Sequence, residues 1–168
     1  MEMTPNAYNA WSIVLQVMIW TAMIATFIVY YLQLKAMQKG AIGQNILSLI
    51  NFLQATNVRD ARTSVLKSLK LKKYADWNED EKREASLVCS NYDVASILIL
   101  QQKLVPLEPF VSNWGPSIKG CFEICREHIA EMQKPENSGP HYWNDFNILY
   151  DEVIKHTAQP GSQEGLRE

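Results

Sequence analysis

The chain has 168 residues and a mass of 19.3 kDa, with 47% hydrophobic and 20% charged residues. This length allows one compact domain and excludes a multidomain enzyme. Its 16 Lys and Arg nearly balance its 18 Asp and Glu, which excludes a strongly basic nucleic-acid binder, so no DNA partner is expected. The charges are unevenly spread, because residues 35–74 hold eight basic residues against one acid, Asp60.

The first predicted element is a transmembrane helix over residues 11–34. At about 1.5 Å per residue this stretch extends roughly 36 Å, which is enough to cross a hydrocarbon core of about 30 Å. A core helix of a soluble protein would show a polar face every third or fourth residue. Here the hydrophilic positions are few: Ser12, Gln16, Thr21, Thr26 and Gln33. Aromatic residues near both ends are typical of membrane interfaces: Tyr8, Trp11, Tyr30 and Tyr31.

The orientation of this span follows from the charges beside it. A cleavable signal peptide is the alternative, but it needs a basic start and a short apolar core, whereas the start here carries Glu2 and the core is long. Lys35 and Lys39 follow the span directly. The positive-inside rule therefore predicts a single pass through the inner membrane, with residues 1–10 outside and residues 35–158 in the cytoplasm. The three scattered cysteines, Cys89, Cys121 and Cys125, are expected to be free thiols, as in a reducing compartment.

Residues 35–158 predict an all-α domain. Gly40 and Gly43 are expected to loosen the chain after the span, and residues 44–55 carry an apolar stripe of helical spacing. Thr56 and Asn57 predict a break and an N-cap before a basic amphipathic helix over residues 58–73. The next helix is expected to start at Asn78, because three acids follow it and complement the helix dipole, and to reach about residue 102.

Prolines divide the second half of the domain. Pro106 and Pro109 predict a break, and Trp114-Gly115-Pro116 predicts a new helix that begins with proline in its first turn and reaches residue 134. A loop over residues 136–140 then leads to a last helix over residues 141–156. The tail, residues 159–168, is too polar to pack and is predicted to be disordered.

Motifs for catalysis or metal binding are scarce. Cys121, Cys125 and His128 have a spacing that can place ligands on one metal ion, but a structural zinc needs four ligands, and no matching pair occurs elsewhere. Small apolar core positions explain these cysteines better. The sequence also has no Gly-rich phosphate loop and no nucleophile motif. We therefore expect neither an enzyme nor a bound cofactor.

The basic residues suggest two interpretations of the cytoplasmic domain. The simpler one is docking of the basic helix to anionic lipid. In the other, arginine and lysine side chains from several protomers converge on a phosphate-bearing ligand, because planar guanidinium groups suit bidentate contacts. The candidate ligand-binding residues are Arg59, Arg62, Lys67, Arg126 and His128. Arg126 has an alternative role in an exposed pair with Glu123 or Glu127.

A homo-oligomer is expected from the predicted span. Thr21 with Ala25, and Ala22 with Thr26, form two pairs of small residues four apart, a spacing that lets membrane helices approach closely. A monomeric anchor also tolerates such pairs.

Three short segments resemble a known bacterial family. They are residues 85–95 (ASLVCSNYDVA), Trp114-Gly115 with the helix that carries Arg126, and residues 142–150 (YWNDFNILY). The family is a small helical domain of unknown function that usually follows one N-terminal membrane helix, and the resemblance covers residues 58–155. The positions it marks in this chain are Arg62, Tyr92, Asp93, Trp114, Arg126 and Tyr142. The resemblance implies the fold and the anchor but no activity.

Two functional hypotheses follow. Small proteins of this build are also similar to membrane effectors of phage defence, including those that sense cyclic oligoadenylates in type III CRISPR immunity. This similarity implies a signal-responsive effector, whose oligomeric domain binds an anionic second messenger such as a cyclic oligonucleotide. The alternative is a passive anchor or scaffold that docks a protein partner at the inner membrane.

Overall fold

The computed structural model describes residues 5–158. Within this range the chain forms helices and turns and no strand, so the all-α fold class is confirmed. Of the predicted external segment, residues 1–4 lie outside the described range, and so does the whole of the predicted tail, residues 159–168. The α-helices are α1 (Pro5–Gln54), α2 (Thr56–Lys67), α3 (Glu79–Ser96), α4 (Leu107–Met132) and α5 (Asn144–Ala158).

Helix α1 is one uninterrupted helix of 50 residues. The prediction that Gly40 and Gly43 loosen the chain is wrong, because both lie inside α1. A glycine costs a helix only about 1 kcal/mol relative to alanine, and the good helix formers on both sides compensate for it. Helix α1 is long and apolar enough to cross a membrane, with a mean hydropathy of 2.1 in its most apolar window. The chain divides into two compact units, residues 1–44 and residues 45–168, so the last turns of α1 belong to the second unit, which we call the helical domain.

Helix α2 is shorter than the basic helix predicted over residues 58–73. It begins at Thr56, directly after the break at Ala55, and ends at Lys67. Two short 3-10 turns follow, at Leu69–Leu71 and Tyr74–Asp76, separated by extended backbone at Lys72 and Lys73. Leu69, in the first of these turns, and Trp77, directly after the second, are both buried.

The predicted start of α3 at Asn78 is confirmed. The Asn78 side chain accepts a hydrogen bond from the Glu81 backbone N–H at 2.9 Å, and the Glu81 carboxylate accepts one from the Asn78 backbone N–H at 3.0 Å. This reciprocal pair satisfies two amides that a helix start leaves without partners. After Ser96 the helix continues as one π-helical turn over Ile97–Gln101, which agrees with the predicted end near residue 102.

The predicted helix start at Trp114-Gly115-Pro116 is wrong. Helix α4 begins at Leu107, and Pro116 lies inside it. Pro106 precedes the first turn and Pro109 lies within it, where a missing backbone N–H costs little. Beside Pro116, Gly115 is buried between α4 and α5, and an added Cβ on it would lie 3.4 Å from the Val153 side chain.

The core of the helical domain is built around three aromatic rings. The rings of Tyr92 and Phe146 stack with centroids 5.3 Å apart, and Phe122 meets Phe146 edge-on at 5.2 Å. Leu49 and Leu53, from the last turns of α1, join the same core. Helix α5 starts at Asn144, three residues later than predicted, since residues 141–143 form a turn before it.

Candidate functional site

Arg62 lies at the corner between α1 and α2. It lies on the same side of α2 as Val58, Ala61 and Val65, and its side chain is buried together with theirs. Only 9% of Arg62 is exposed, and its Nη1 donates a hydrogen bond to the Leu53 carbonyl at 3.0 Å. Leu53 lies in the last turn of α1, where backbone carbonyls lack partners further along the helix. Arg62 thus caps the C-terminal end of α1.

The surroundings of Arg62 are aromatic and uncharged. Its guanidinium carbon lies 4.7 Å from the centroid of the Trp114 ring, a cation–π contact. Within residues 5–158 no carboxylate forms an ion pair with Arg62. Nearby, the Tyr92 hydroxyl bonds the Ser117 hydroxyl at 2.9 Å. Burial raises the pKa of Tyr92, and the Ser117 hydrogen bond and the Arg62 charge offset this only in part. The guanidinium therefore has N–H donors that its hydrogen bond to Leu53 does not use, and no carboxylate among the described residues neutralises its charge.

His128 forms a second buried polar centre, on α4. It is 3% exposed, and three aromatic rings surround it. Their centroids lie 5.7 Å (Tyr74), 6.1 Å (Trp77) and 5.5 Å (Trp143) from that of the imidazole. The Nε2 atom lies 2.8 Å from the Ser86 hydroxyl, and Nδ1 lies 3.3 Å from the Tyr74 hydroxyl.

The hydrogen bonds around His128 fix its tautomer. The Ser86 hydroxyl donates its single proton to the Lys82 carbonyl at 2.8 Å, so its oxygen accepts from the Nε2–H of His128. Nδ1 is then the acceptor for the Tyr74 hydroxyl. Burial, helped by the positive charge of Lys82, lowers the pKa of His128 despite the opposing effects of Glu131 and Glu79. The imidazole is therefore a neutral element of the core that connects α3, α4 and the turn at Tyr74–Asp76.

The structure separates the five predicted ligand-binding residues. Arg59 and Lys67 are exposed on α2, whereas Arg62 on the same helix is buried. Arg126 is exposed on α4, with its guanidinium 5.9 Å from the Phe122 ring centroid. His128 comes two residues later and so lies about 200° around the helix axis from it. Within one chain these residues do not form one cluster, and a shared anion site stays a prediction that a second copy would have to complete.

The alternative pairing of Arg126 with Glu123 or Glu127 is wrong for the part of the chain that the structure describes. Neither glutamate forms an ion pair with it there. Glu123 instead accepts a hydrogen bond from the Tyr150 hydroxyl at 3.5 Å. Arg126 therefore presents its charge to solvent.

Two further hydrogen bonds between elements were not predicted from the sequence. Asp93 accepts a hydrogen bond from the Phe146 backbone N–H at 2.9 Å and so caps the start of α5 from another helix. Burial raises the pKa of Asp93, and the hydrogen bond from Phe146 opposes this shift. The Trp143 indole donates to the Ser90 hydroxyl at 3.0 Å. Asp93 and the residues around Trp143 belong to the segments that carry the family resemblance. This resemblance was the one feature of the sequence that pointed to them.

The cysteines are buried core residues. Cys89, Cys121 and Cys125 are all free thiols at 0% exposure. Burial raises the pKa of Cys121 to about 12, so its reactive thiolate form is scarce at neutral pH. Among residues 5–158 no group of three His, Cys, Asp or Glu side chains is arranged to hold a metal ion.

No known protein family, curated protein or solved structure matches this chain. The resemblance to the helical bacterial family stays a prediction.

Proposed function

We propose that this protein is a single-pass membrane anchor that holds its helical domain at the cytoplasmic face of the inner membrane, where the domain docks a protein partner. The surface of α1 is the observation that supports this proposal. Four consecutive side chains, which cover a full turn of the helix, are all exposed: Phe27 (72%), Ile28 (55%), Val29 (52%) and Tyr30 (66%). An apolar surface on every side of a helix is stable in lipid and is rare on a soluble protein.

Two measurements test the anchor and its orientation. The full chain should stay in the membrane pellet after alkaline extraction, whereas a Phe27→Arg, Ile28→Arg variant should be released, because charges at mid-span are costly in lipid. A C-terminal green fluorescent protein should fluoresce, and a C-terminal alkaline phosphatase should be inactive. Release of the unchanged chain would refute the anchor. An active phosphatase would refute the cytoplasmic location while leaving the anchor intact.

Association of two copies through α1 is part of this proposal. A shallow apolar groove runs along one side of the helix, lined by Ile19, Ala22, Met23, Thr26, Phe27 and Tyr30. The Thr26 hydroxyl bonds the Ala22 carbonyl of its own helix at 2.8 Å, so it brings no unpaired donor to the contact. Close packing at Ala22 would then drive association. An Ala22→Ile variant should weaken cross-linking between copies in vesicles, with Ile24→Phe, about 200° around the helix axis from Ala22, as the control.

A second candidate function is supported by Arg62. A buried guanidinium without an acid partner among the described residues suits an anionic ligand. Its present acceptor, the Leu53 carbonyl, belongs to α1. A phosphate that engaged Arg62 would compete with this carbonyl, so that ligand binding in the domain would alter the end of the helix that carries the candidate span. This is the connection that a signal-responsive membrane effector in antiviral defence needs, with a cyclic oligonucleotide as the ligand.

A ligand titration distinguishes the two candidates. The full chain in nanodiscs would be heated with and without cyclic oligoadenylates. An effector should gain thermal stability by mass action, an Arg62→Lys variant should lose most of that gain, and Arg59→Ala should keep more of it. Unchanged melting of the wild-type chain at all ligand concentrations would refute this effector and leave the anchor as the function.

A further inference from the structure

Leu71 is the most exposed large hydrophobic residue outside α1. It ends the 3-10 turn Leu69–Leu71 with 85% of its surface exposed, while Leu69, two residues earlier, is 1% exposed. The extended backbone at Lys72 that follows turns the chain away from the helix direction. The turn therefore anchors one leucine in the core and holds the other in solvent.

The surroundings of Leu71 are strongly positive. Four lysines lie within residues 67–73 and all of them are exposed: Lys67, Lys70, Lys72 and Lys73. Lys72 forms an ion pair with Glu81, whereas the other three form no ion pair within the described residues 5–158. No acidic residue occurs between Asp60 and Asp76. A single exposed leucine is ordinary on a protein surface, but one at the tip of a turn within a lysine cluster has a specific chemical complement.

That complement is an anionic bilayer surface. Lysine ammonium groups are attracted to lipid phosphates, and their long alkyl stems accompany an apolar side chain into the headgroup layer. An acidic protein would match the charge but would also need a pocket for the leucine. The candidate span in the same chain favours lipid, because it would keep the turn near a membrane at high effective concentration.

We propose that residues 67–73 form a membrane-contact segment, in which Leu71 enters the acyl boundary of an anionic leaflet and Lys67, Lys70 and Lys73 bind the headgroup phosphates. This inference rests on the proposed membrane anchor and adds a second contact with the same bilayer. The domain would then be held at the membrane by its own surface as well as by α1. Loss of anionic lipid would release this surface contact while the span stayed inserted.

The test uses the full chain in vesicles with a fluorescent probe at one position at a time. The three native cysteines are fully buried, so a thiol-reactive nitrobenzoxadiazole label should attach selectively to Leu71→Cys in the folded protein. Phe27→Cys serves as the label within the candidate span. Asp151→Cys, an exposed position on α5, serves as the label on another surface of the domain. Vesicles of phosphatidylcholine, with and without phosphatidylglycerol, would carry spin-labelled acyl chains as quenchers.

The expected result differs among the three positions. The probe at Phe27→Cys should be quenched in both lipid mixtures, the probe at Leu71→Cys only with phosphatidylglycerol, and the probe at Asp151→Cys in neither. High salt, or replacing Lys70 and Lys73 by Gln, should reduce the quenching at position 71. Quenching at position 27 without quenching at position 71 would overturn this inference and leave the anchor intact.

Three other outcomes would also overturn the inference. Failure at position 27 would overturn the anchor and the inference together. Equal quenching at positions 71 and 151 would indicate unspecific adsorption of the domain and overturn the specific role of Leu71. A blue-shifted probe at position 71 that lipid quenchers do not reach would show that protein covers the leucine, which also refutes the membrane contact.

Discussion

Phe27 and Phe146 show how differently the two units of this chain use the same secondary structure. Both residues lie in α-helices, yet Phe27 is 72% exposed and Phe146 is 0% exposed. Around Phe27 the helix is apolar on all sides, whereas α5 buries Phe146, Leu149 and Val153 on one side and carries mostly polar residues on the others. Apolar content alone therefore does not indicate where a side chain goes. The angular distribution of apolar residues around the helix does, because it determines whether lipid or protein covers them.

The polar groups of the two units differ in the same way. In α1 the Thr21 hydroxyl bonds the Val17 carbonyl of its own helix at 2.7 Å, which satisfies it without any neighbour. In the helical domain, the buried His128 instead bonds Ser86 and Tyr74, which lie on two other elements. A helix in lipid has to satisfy its polar groups within itself, whereas a packed domain can use them to join its helices. Four predictions test this contrast.

The largest effect is expected from Phe146→Ala. This substitution removes the ring that contacts both Tyr92 and Phe122, and it should lower the free energy of unfolding of the domain by about 3 to 5 kcal/mol. Phe27→Ala is the matched control and should leave the unfolding of the domain unchanged. Denaturant titration of the full chain in micelles, followed by circular dichroism, measures both. Equal effects of the two substitutions would contradict the division into an exposed apolar helix and a packed domain.

Arg62→Ala should have the next largest effect. It leaves the buried Leu53 carbonyl without its donor, which should cost about 1 to 3 kcal/mol of unfolding free energy. Arg59→Ala, on the exposed side of α2, should change the stability by no more than about 0.5 kcal/mol. The same titration applies. If Arg62→Ala proves neutral, the guanidinium does not hold the corner between α1 and α2.

Asn78→Ala should cost about 1 kcal/mol, because it removes the acceptor for the Glu81 backbone N–H at the start of α3. Asn78→Ser keeps a side-chain oxygen at this position and should recover most of the loss. The change in melting temperature of both variants provides the measurement. A loss for serine as large as that for alanine would show that the cap does not contribute through its hydrogen bond.

The smallest and most gradual effect is a dependence of stability on pH through His128. Its pKa is lowered in the folded chain, so the unfolded chain binds more protons as the pH falls below about 6.5. Neutral His128 therefore makes its full contribution to the free energy of unfolding above that pH. This contribution is lost as the pH falls toward the lowered pKa of the folded chain. Melting temperatures measured across this interval should fall less in a His128→Gln variant. The exposed His141→Gln is the control and should retain the slope of the wild-type chain.

Asp93 makes an opposite contribution to the same pH profile. Burial raises its pKa in the folded chain, so protonation of this carboxyl favours folding as the pH falls through the raised value. The comparison of His128→Gln with wild type removes this contribution, because both proteins contain Asp93. If the melting temperatures of the two proteins fall equally with pH, His128 does not cause the loss of stability in acid.

The sequence by itself determined the all-α class, the long apolar helix, the capped start at Asn78 and the buried cysteines. Each of these depends on residues close together in the chain: a continuous apolar run, a cap with its acids, or a helical period. The sequence missed the continuity of α1 at Gly40, where good helix formers on both sides outweigh the glycine, and it also missed the end of α2 at Lys67 and the position of Pro116 inside α4. Gly115 and Pro116 suggested a helix start, yet α4 continues through both residues, and Gly115 is buried beside Val153 of α5.

Only the tertiary structure separated the five candidate cations. Arg62 resembles Arg59 and Lys67 in the sequence, and its burial against Trp114 depends on a residue 52 positions away in the numbering of the chain. His128 likewise depends on Tyr74 and Ser86, which lie on other elements. Charge type and spacing within one helix are local properties, whereas the burial and partners of a side chain are set by whichever helices pack against it. For this reason the sequence identified the basic residues, and the fold decided that Arg62 and His128 join helices while Arg59, Lys67 and Arg126 face solvent.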